Sequence, residues 1–427
     1  MILLFVCALF LASIFIGIPL VWAILITAVV PIFVFDLGYP LQALFLNFIG
    51  GVEPNHYIAI PLFIFAGELM SRGGVGQRII DFAKAAFGFM PGGLGAVVVG
   101  ASMIFGGISG SAIADSAAIG SVMIPAMSKQ GYKRAFAGGL VAAAGTIGII
   151  IPPSIPMLIY GFVGNVSVGN LFLAGVGPGI LMGVAFISVC FWVGKSTGVD
   201  PGGERTTPRA FLSAFMGSLP ALLMPVIILG GIFSGLVTPT EAAALAAVYG
   251  LLVTLFVYRD LKVSDLPQLL VDSFVTSAVV MVVIGSTSVL AWLITLEQMP
   301  QILIGFVQHF SSSPFMFLLM VNLVLLILGM VLDPVPAILL SAPLFIPTAQ
   351  AYGVDLVHLG VIFTTNLAIG LFTPPVGATL YVASRISKVG VLSITRAMAP
   401  LYIAAVIVLL LVTFIPAISM GLVWLIR

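Results

Sequence analysis

The chain has 427 residues, of which 61% are hydrophobic; only 15 are basic and 14 acidic, for a formal net charge of +1. Soluble globular chains are about 45–50% apolar and about 25% charged, so this one lacks the polar side chains that a water-facing surface needs. That excludes a soluble enzyme and a disordered chain, and the absence of any basic excess excludes nucleic-acid binding.

Each crossing of a hydrocarbon core takes about 20 apolar residues as helix, so 61% of 427 residues allows at most about a dozen membrane segments. The apolar runs are continuous and do not alternate, which selects helices over a closed barrel. The fold class is therefore all-α integral membrane. Expected crossings, in chain order, are 1–17, 19–35, 58–71, 137–161 and 171–194, then 218–236, 239–258, 273–296, 357–383 and 399–426. The start has no basic region and no small-residue cleavage site, and reads as a membrane helix. Cys7 and Cys190 both fall in apolar runs and read as small buried hydrophobes, not as a disulfide or a metal site.

Basic residues cluster at 72–84, 129–134, 195–209, 259–262 and 385–396, whereas 36–57, 164–170, 297–314 and 350–355 carry none. By the positive-inside rule the first group is cytoplasmic and the second external. Two apolar stretches then start and end on the same side. Segment 94–127 lies between basic flanks and is interrupted by Phe105-Gly-Gly-Ile-Ser-Gly-Ser111; segment 315–348 lies between basic-free flanks and is interrupted by Leu332-Asp-Pro-Val-Pro336. Both read as re-entrant hairpins, entering from opposite faces. With about ten crossings and two hairpins, both termini come out on the external side. The amphipathic stretches 77–89 and 208–218 read as arms lying at the interface.

The two halves repeat each other. Pro152-Pro153 and Pro374-Pro375 stand 222 positions apart, and the same offset pairs Gly107 with Gly329, Pro125 with Pro347, Gly131 with Gly353, Gly138 with Gly360 and Gly148 with Gly370. An inverted repeat with interrupted helices is the signature of a secondary transporter, with substrate and coupling ions bound near the midplane. The expected organisation is a first repeat over 1–200, an amphipathic connector over 201–217 and a second repeat over 218–427. Scaffold helices occupy 1–57 and 218–258, hairpins 94–127 and 315–348, and broken helices 137–161 and 357–383.

At the breaks, Pro152-Pro153 and Pro374-Pro375 remove backbone donors and free carbonyls one turn back; such carbonyls are tolerated at membrane depth where they line a cavity or meet a cation. Hard oxygen donors without a Cys/His cluster suit Na⁺ and not a transition metal, and helix N-termini beyond the breaks suit a carboxylate. Four acids lie in apolar runs: Glu68, Asp115, Glu241 and Asp333. Intramembrane acids are functional candidates, Asp115 and Asp333 the stronger ones. Glu241 reads as a cap, with Thr238 or Thr240. His56, His309 and His358 read as solvated or interfacial.

These motifs resemble the large membrane subunit, the M or DctM type, of tripartite ATP-independent periplasmic (TRAP) transporters. The resemblance covers nearly the whole chain and rests on Phe65-Ala-Gly-Glu-Leu-Met-Ser-Arg-Gly-Gly74, the Ser109-Gly-Ser111 tip and Ile151-Pro-Pro-Ser154. It rests also on the run Gly230 to Ala244, Leu332-Asp-Pro-Val-Pro336 and Gly370-Leu-Phe-Thr-Pro-Pro-Val-Gly377. It implies an elevator-type, Na⁺-coupled importer of organic acids in a Gram-negative inner membrane, surrounded by phospholipid. The partners would be a small four-helix Q subunit and a periplasmic binding protein P. By motif, one Na⁺ site would join Ser109, Gly110 and Ser111 to Gly145, Gly148 and Pro152. The other would join Gly329 and Asp333 to Thr365, Gly370 and Thr373. Substrate would meet Ser111, Asp115, Pro153, Ser154 and Pro375. Sialic acid is the favoured substrate class and a C4-dicarboxylate the next. Where the family often has Asp-Pro after the second hairpin, this chain has Asp355-Leu356. A stand-alone carrier and a passive channel or scaffold are the competing readings.

Overall fold

Prolines, glycines and small polar caps cut the apolar runs into 21 α-helices among the described residues. The computed structural model describes residues 2–53, 55–203, 206–310 and 313–426; the side chains of His56 and His309 lie outside those described. The chain opens with α1 (Ile2–Phe15), α2 (Leu20–Val34), α3 (Leu41–Val52), α4 (Ala59–Arg72) and α5 (Val75–Phe87). A helical hairpin follows, α6 (Gly93–Ser109) and α7 (Ala112–Lys129), then α8 (Arg134–Gly145) and α9 (Ile155–Val163), and then the long α10 (Val168–Thr197). The second half comprises α11 (Pro208–Phe233), α12 (Pro239–Leu252), α13 (Leu266–Leu296) and α14 (Met299–Phe310), and then the hairpin α15 (Pro314–Gly329) and α16 (Pro334–Ala351). It ends with α17 (Leu356–Leu371), α18 (Ala378–Ser387), α19 (Val391–Ala397), α20 (Ala399–Phe414) and α21 (Pro416–Ile426).

The helices break at the glycine and proline motifs. Helix α6 ends because Gly110 takes a left-handed φ of 61°, and Ser111 starts α7 by accepting from the Ala114 N–H at 3.4 Å. In the first broken helix a 3-10 turn, Thr146–Ile149, runs into the Pro-Pro pair, and Ser154 restarts the chain by accepting from the Met157 N–H at 3.3 Å. The Pro152-Pro153 and Pro374-Pro375 bonds are both cis. At α12, Thr238 and Glu241 form a reciprocal capping box, so Glu241 is a cap.

Five stretches are long and apolar enough to cross a membrane singly: Val168–Thr197, Pro208–Phe233, Pro239–Val257, Val263–Leu296 and Pro334–Ala351. The other expected crossings are carried by shorter or broken helices, among them the pair α19–α20, bent by 65°.

Several expectations from sequence need correction. The stretches 36–57 and 297–314, expected as external loops, are not plain loops: they hold the short helices α3 and α14. The division between connector and crossing near 217–218 falls inside α11, which is continuous from Pro208 to Phe233. Phe211 and Phe215 carry its apolar face back to Phe82 of α5, each with ring centroids 5.7 Å away. The crossing expected at 273 begins at Leu266, and the last crossing is interrupted at Ile415-Pro416. Cys190 is buried, but Cys7 is exposed, on a helix that also exposes Leu4 and Leu11; an apolar environment here means lipid as readily as protein. His358 is buried, contrary to the solvated or interfacial role expected of it. Asp355 caps α17 by accepting from the Val357 and His358 N–H groups, which sets His358 in the first turn facing the break between α20 and α21. There its Nδ1 meets Ser419 Oγ at 2.7 Å and its Nε2 the Thr413 carbonyl at 3.1 Å.

Two packing groups emerge. Helix α4 lies against α12 and α13, and α13 also against α2 and α3. Helix α10 packs on α6, α17, α20 and α21, and α17 on α15. Helices α10, α20 and α21 thus belong with the hairpins and broken helices and not with the first group. Between the groups lies a cavity.

Candidate functional site

The cavity has a volume of about 320 Å³. One wall comes from α4 and α13, through Gly67, Glu68, Ser71 and Thr276; the other comes from the two hairpin tips and the first break. Gly67 lies directly on the first tip, where a Cβ would stand 2.8 Å from the Ser109 carbonyl oxygen. Three helices open their N-terminal ends toward this space: α7 at Ala112, Ile113 and Ala114, α9 at Ile155 and Pro156, and α16 at Asp333 and Pro334. Helix N-termini carry partial positive charge, and their convergence favours an anion.

The side chains have the opposite sign. Glu68 and Asp333 are acidic, and no Lys, Arg or His is among the residues that line the cavity. Glu68 is held by Arg72 at 3.3 Å, and Arg72 also reaches Asp272 of α13 at 2.5 Å. An anion entering this space therefore meets backbone dipoles and two carboxylates, an arrangement that becomes favourable when cations enter with it.

Of the residues singled out by sequence, Glu68, Ser109, Gly110, Ser111 and Asp333 line the cavity. Pro153 and Ser154 border a small niche beside it, with Ser109 and Gly110. The others are brought together behind it. Gly148 crosses the first hairpin at Gly106, Gly370 crosses the second at Gly329, and Gly145 faces Ser116 of α7. Gly107 faces the Pro152 carbonyl, with a would-be Cβ 3.4 Å away. The Val376 and Gly377 N–H groups donate to the Met330 carbonyl at 3.2 and 3.3 Å, tying the second break to the second tip. Asp115 is fully buried and turns away from the cavity, and its partner is Ser109. Pro375 is exposed on the second break and does not line the cavity either. Thr365 and Thr373 donate to carbonyls of their own helix, Val361 and Ile369.

Three carbonyls at the breaks have side-chain donors. Ser154 donates to Ile149 at 2.5 Å, Thr379 to Leu371 at 2.9 Å and Tyr402 to Phe372 at 2.5 Å. Thr379 and Tyr402 escaped sequence reasoning because neither lies in a break motif. Gly67 and Ser71, inside the run 65–74, were given no site role, and Thr276 escaped sequence reasoning as well; a signal for Thr276 was the Ser/Thr-rich first half of α13.

With this geometry in view, the comparisons with known proteins are informative. Residues 7–418 match the family described as the tripartite ATP-independent periplasmic transporter, DctM component. The chain is 44% identical to the C4-dicarboxylate TRAP transporter large permease protein DctM of Pseudomonas aeruginosa over 370 residues, 86% of each chain. It is 40% identical to the sialic acid TRAP transporter large permease protein SiaM of Vibrio cholerae over 371 residues, again 86% of each chain. Identity to the 2,3-diketo-L-gulonate TRAP transporter large permease protein YiaN of Escherichia coli is 37% over 406 residues, 95% of each chain. Relatives named for different substrates thus stand at similar identities. The chain is a multi-pass membrane protein and belongs to the DctM family, the large permease component of TRAP transporters for organic acids.

Proposed function

We propose that this chain carries an organic acid across the bacterial inner membrane in symport with Na⁺, by an elevator movement of one packing group past the other. The observation that supports this most directly is the sign pattern of the cavity: three helix N-termini and two carboxylates, with no basic side chain in the lining. The N-termini favour the substrate carboxylate, and the carboxylates favour the coupling ions. Na⁺ fits the donors present, which are hydroxyl, carboxylate and backbone oxygens. Ser109, Gly110 and Ser111 with Gly145, Gly148 and Pro152 would hold one ion; Gly329 and Asp333 with Thr365, Gly370 and Thr373 would hold the other.

In this reading the moving body comprises both hairpins, both broken helices, α10, α20 and α21, and the scaffold comprises α1–α4 and α11–α13. Gly67 supports that division, because a flat backbone contact with the first hairpin tip lets two bodies slide. A small membrane subunit flanks the scaffold, and a periplasmic binding protein delivers the substrate. Candidate substrates are sialic acid, first, and C4-dicarboxylates, second, since relatives carry both names.

Reconstitution of the chain with its small membrane subunit and binding protein tests this. Uptake of labelled sialic acid and of a C4-dicarboxylate should follow an imposed inward Na⁺ gradient and should show counterflow. Uptake indifferent to Na⁺ would overturn the coupling, and failure of counterflow would favour a channel.

A further inference from the structure

Just behind the first hairpin tip lies a carboxyl group that the cavity does not use. Asp115 has no exposed surface. Its Oδ1 accepts the Ser109 hydroxyl, and Ser109 Oγ in turn accepts the Ser111 N–H at 3.1 Å. Its Oδ2 has no hydrogen-bond partner among the described residues and fills a niche between two glycines. A Cβ on Gly148 would come within 2.2 Å of it, and one on Gly106 within 3.0 Å. None of the salt bridges among the described residues includes it. A carboxyl group buried at this depth without a basic partner is costly unless a cation or further hydrogen bonds compensate it.

The hydroxyl arithmetic then assigns a role. A serine hydroxyl has one proton and two lone pairs. The Ser109 proton is committed to Asp115, and one lone pair is committed to the Ser111 N–H. What Ser109 offers to the cavity it lines is the remaining lone pair. It presents itself there as an acceptor, which suits a cation and repels a carboxylate oxygen.

We propose that Asp115 is the positioning residue of the hairpin-1 cation site: it orients Ser109 as a pure acceptor and places a compensating negative charge behind it. Asp115 acts through Ser109 and does not itself touch the substrate. This inference rests on the Na⁺-coupled reading above. It also moves Asp115 from the substrate set, where its place after the hairpin tip had put it, to the ion-binding set.

The test uses the purified chain with its small membrane subunit in lipid nanodiscs. NaCl is titrated against choline chloride at constant ionic strength, and the rise in thermal unfolding midpoint is followed by intrinsic fluorescence. Uptake in proteoliposomes supplied with the binding protein gives a second Na⁺ half-saturation and, at saturating Na⁺, the substrate half-saturation. Asp115→Asn keeps the shape and an acceptor for Ser109 but removes the charge. It should raise the Na⁺ half-saturation by about tenfold in both readouts, with the substrate half-saturation at saturating Na⁺ unchanged. Ser109→Ala should do the same, and the double variant should be no worse than the worse single one, since the two act in series. Asp115→Ala should exceed Asp115→Asn; if it fails to fold, the asparagine variant and the cycle with Ser109→Ala still decide. A wild-type Na⁺ response in Asp115→Asn, or full additivity in the double variant, overturns the proposal while leaving Na⁺ coupling in place. A wild-type chain that Na⁺ does not stabilise overturns the Na⁺ reading itself, and this inference with it.

Discussion

Gly370 of the second broken helix crosses Gly329 of the second hairpin with their backbones in direct contact: a Cβ on Gly370 would lie 2.4 Å from the Gly329 carbonyl carbon and 2.5 Å from its Cα. The first half has a similar crossing, one residue before the position that the 222 offset pairs with Gly329: a Cβ on Gly106 would lie 2.1 Å from the Gly148 Cα. Small residues let membrane helices approach this closely, and a backbone obstacle cannot rotate aside as a side chain does. Gly370→Ala is therefore expected to separate hairpin from broken helix and to cost roughly 1–3 kcal/mol or more. Gly230→Ala, where nothing lies within 4 Å, should stay within about 0.5 kcal/mol of the parent. Thermal unfolding of the purified protein, read by tryptophan fluorescence, compares the two; equal midpoints would remove the crossing from the list of constraints.

The same crossings show how far the sequence could be read. A constant offset of 222 positions paired Gly148 with Gly370 and the two Pro-Pro pairs, because glycine and proline act on the backbone itself and leave their mark in any apolar context. Hairpin tips and breaks were legible for that reason. Which face a helix shows to lipid, to protein or to the cavity was not, since in a chain this apolar the hydrophobic pattern hardly alternates. Cys7, Asp115 and His358 were each placed on the wrong side for that cause, and Thr379 and Tyr402 act from outside the motifs whose carbonyls they satisfy.

His358 bridges the break at Ile415-Pro416. With Nε2 on the Thr413 carbonyl and Nδ1 on Ser419, the imidazole occupies both ring nitrogens in a buried setting. Thr413 Oγ1 also accepts from Asn322 of the second hairpin at 3.0 Å, and Asn366 donates to Asn322 at 2.7 Å. Hairpin, broken helix and C-terminal pair are thereby joined by one polar chain. His358→Ala leaves the Thr413 carbonyl and the Ser419 hydroxyl without the ring and should cost roughly 1–3 kcal/mol. Ser419→Ala should add less on top of His358→Ala than it costs alone. Unfolding midpoints of the four proteins measure this; strict additivity would mean that the ring and the hydroxyl do not act together.

Asp200 clamps the base of the first hairpin. Its Oδ2 accepts from the Leu94 N–H at 2.9 Å and from the Tyr132 hydroxyl at 3.1 Å, while its carbonyl accepts from the Gly92 N–H at 2.8 Å. It sits past the end of α10, so it fastens that helix to both arms of the hairpin. Burial first, and then the neighbouring Asp200 charge, push the Tyr132 phenol well above the ordinary tyrosine range. The hydroxyl therefore still carries its proton at about pH 10, where a free tyrosine is half ionised, and goes on donating to Asp200 there. Asp200→Ala should lower stability by roughly 1–3 kcal/mol, and Tyr132→Phe, which removes one of the three bonds, by less. Hydrogen exchange at the start of α6 locates the effect: faster exchange confined to that turn is expected, and unchanged exchange there would refute the clamp.

The distribution of basic residues makes a prediction about orientation that cysteine chemistry can check. The chain has two cysteines; Cys190 is buried and Cys7 is exposed on an apolar helix, so replacing Cys7 by Ala leaves a background with little reactivity toward a water-soluble reagent. Ala351 ends α16 in an exposed position on the basic-free side, and Lys129 ends α7, also exposed, on the basic side. In that background, Ala351→Cys should react with a membrane-impermeant maleimide on intact spheroplasts, and Lys129→Cys only after permeabilisation. The opposite pattern would invert the topology, and labelling of both from outside would mean that the first hairpin crosses the membrane instead of returning to the face it entered.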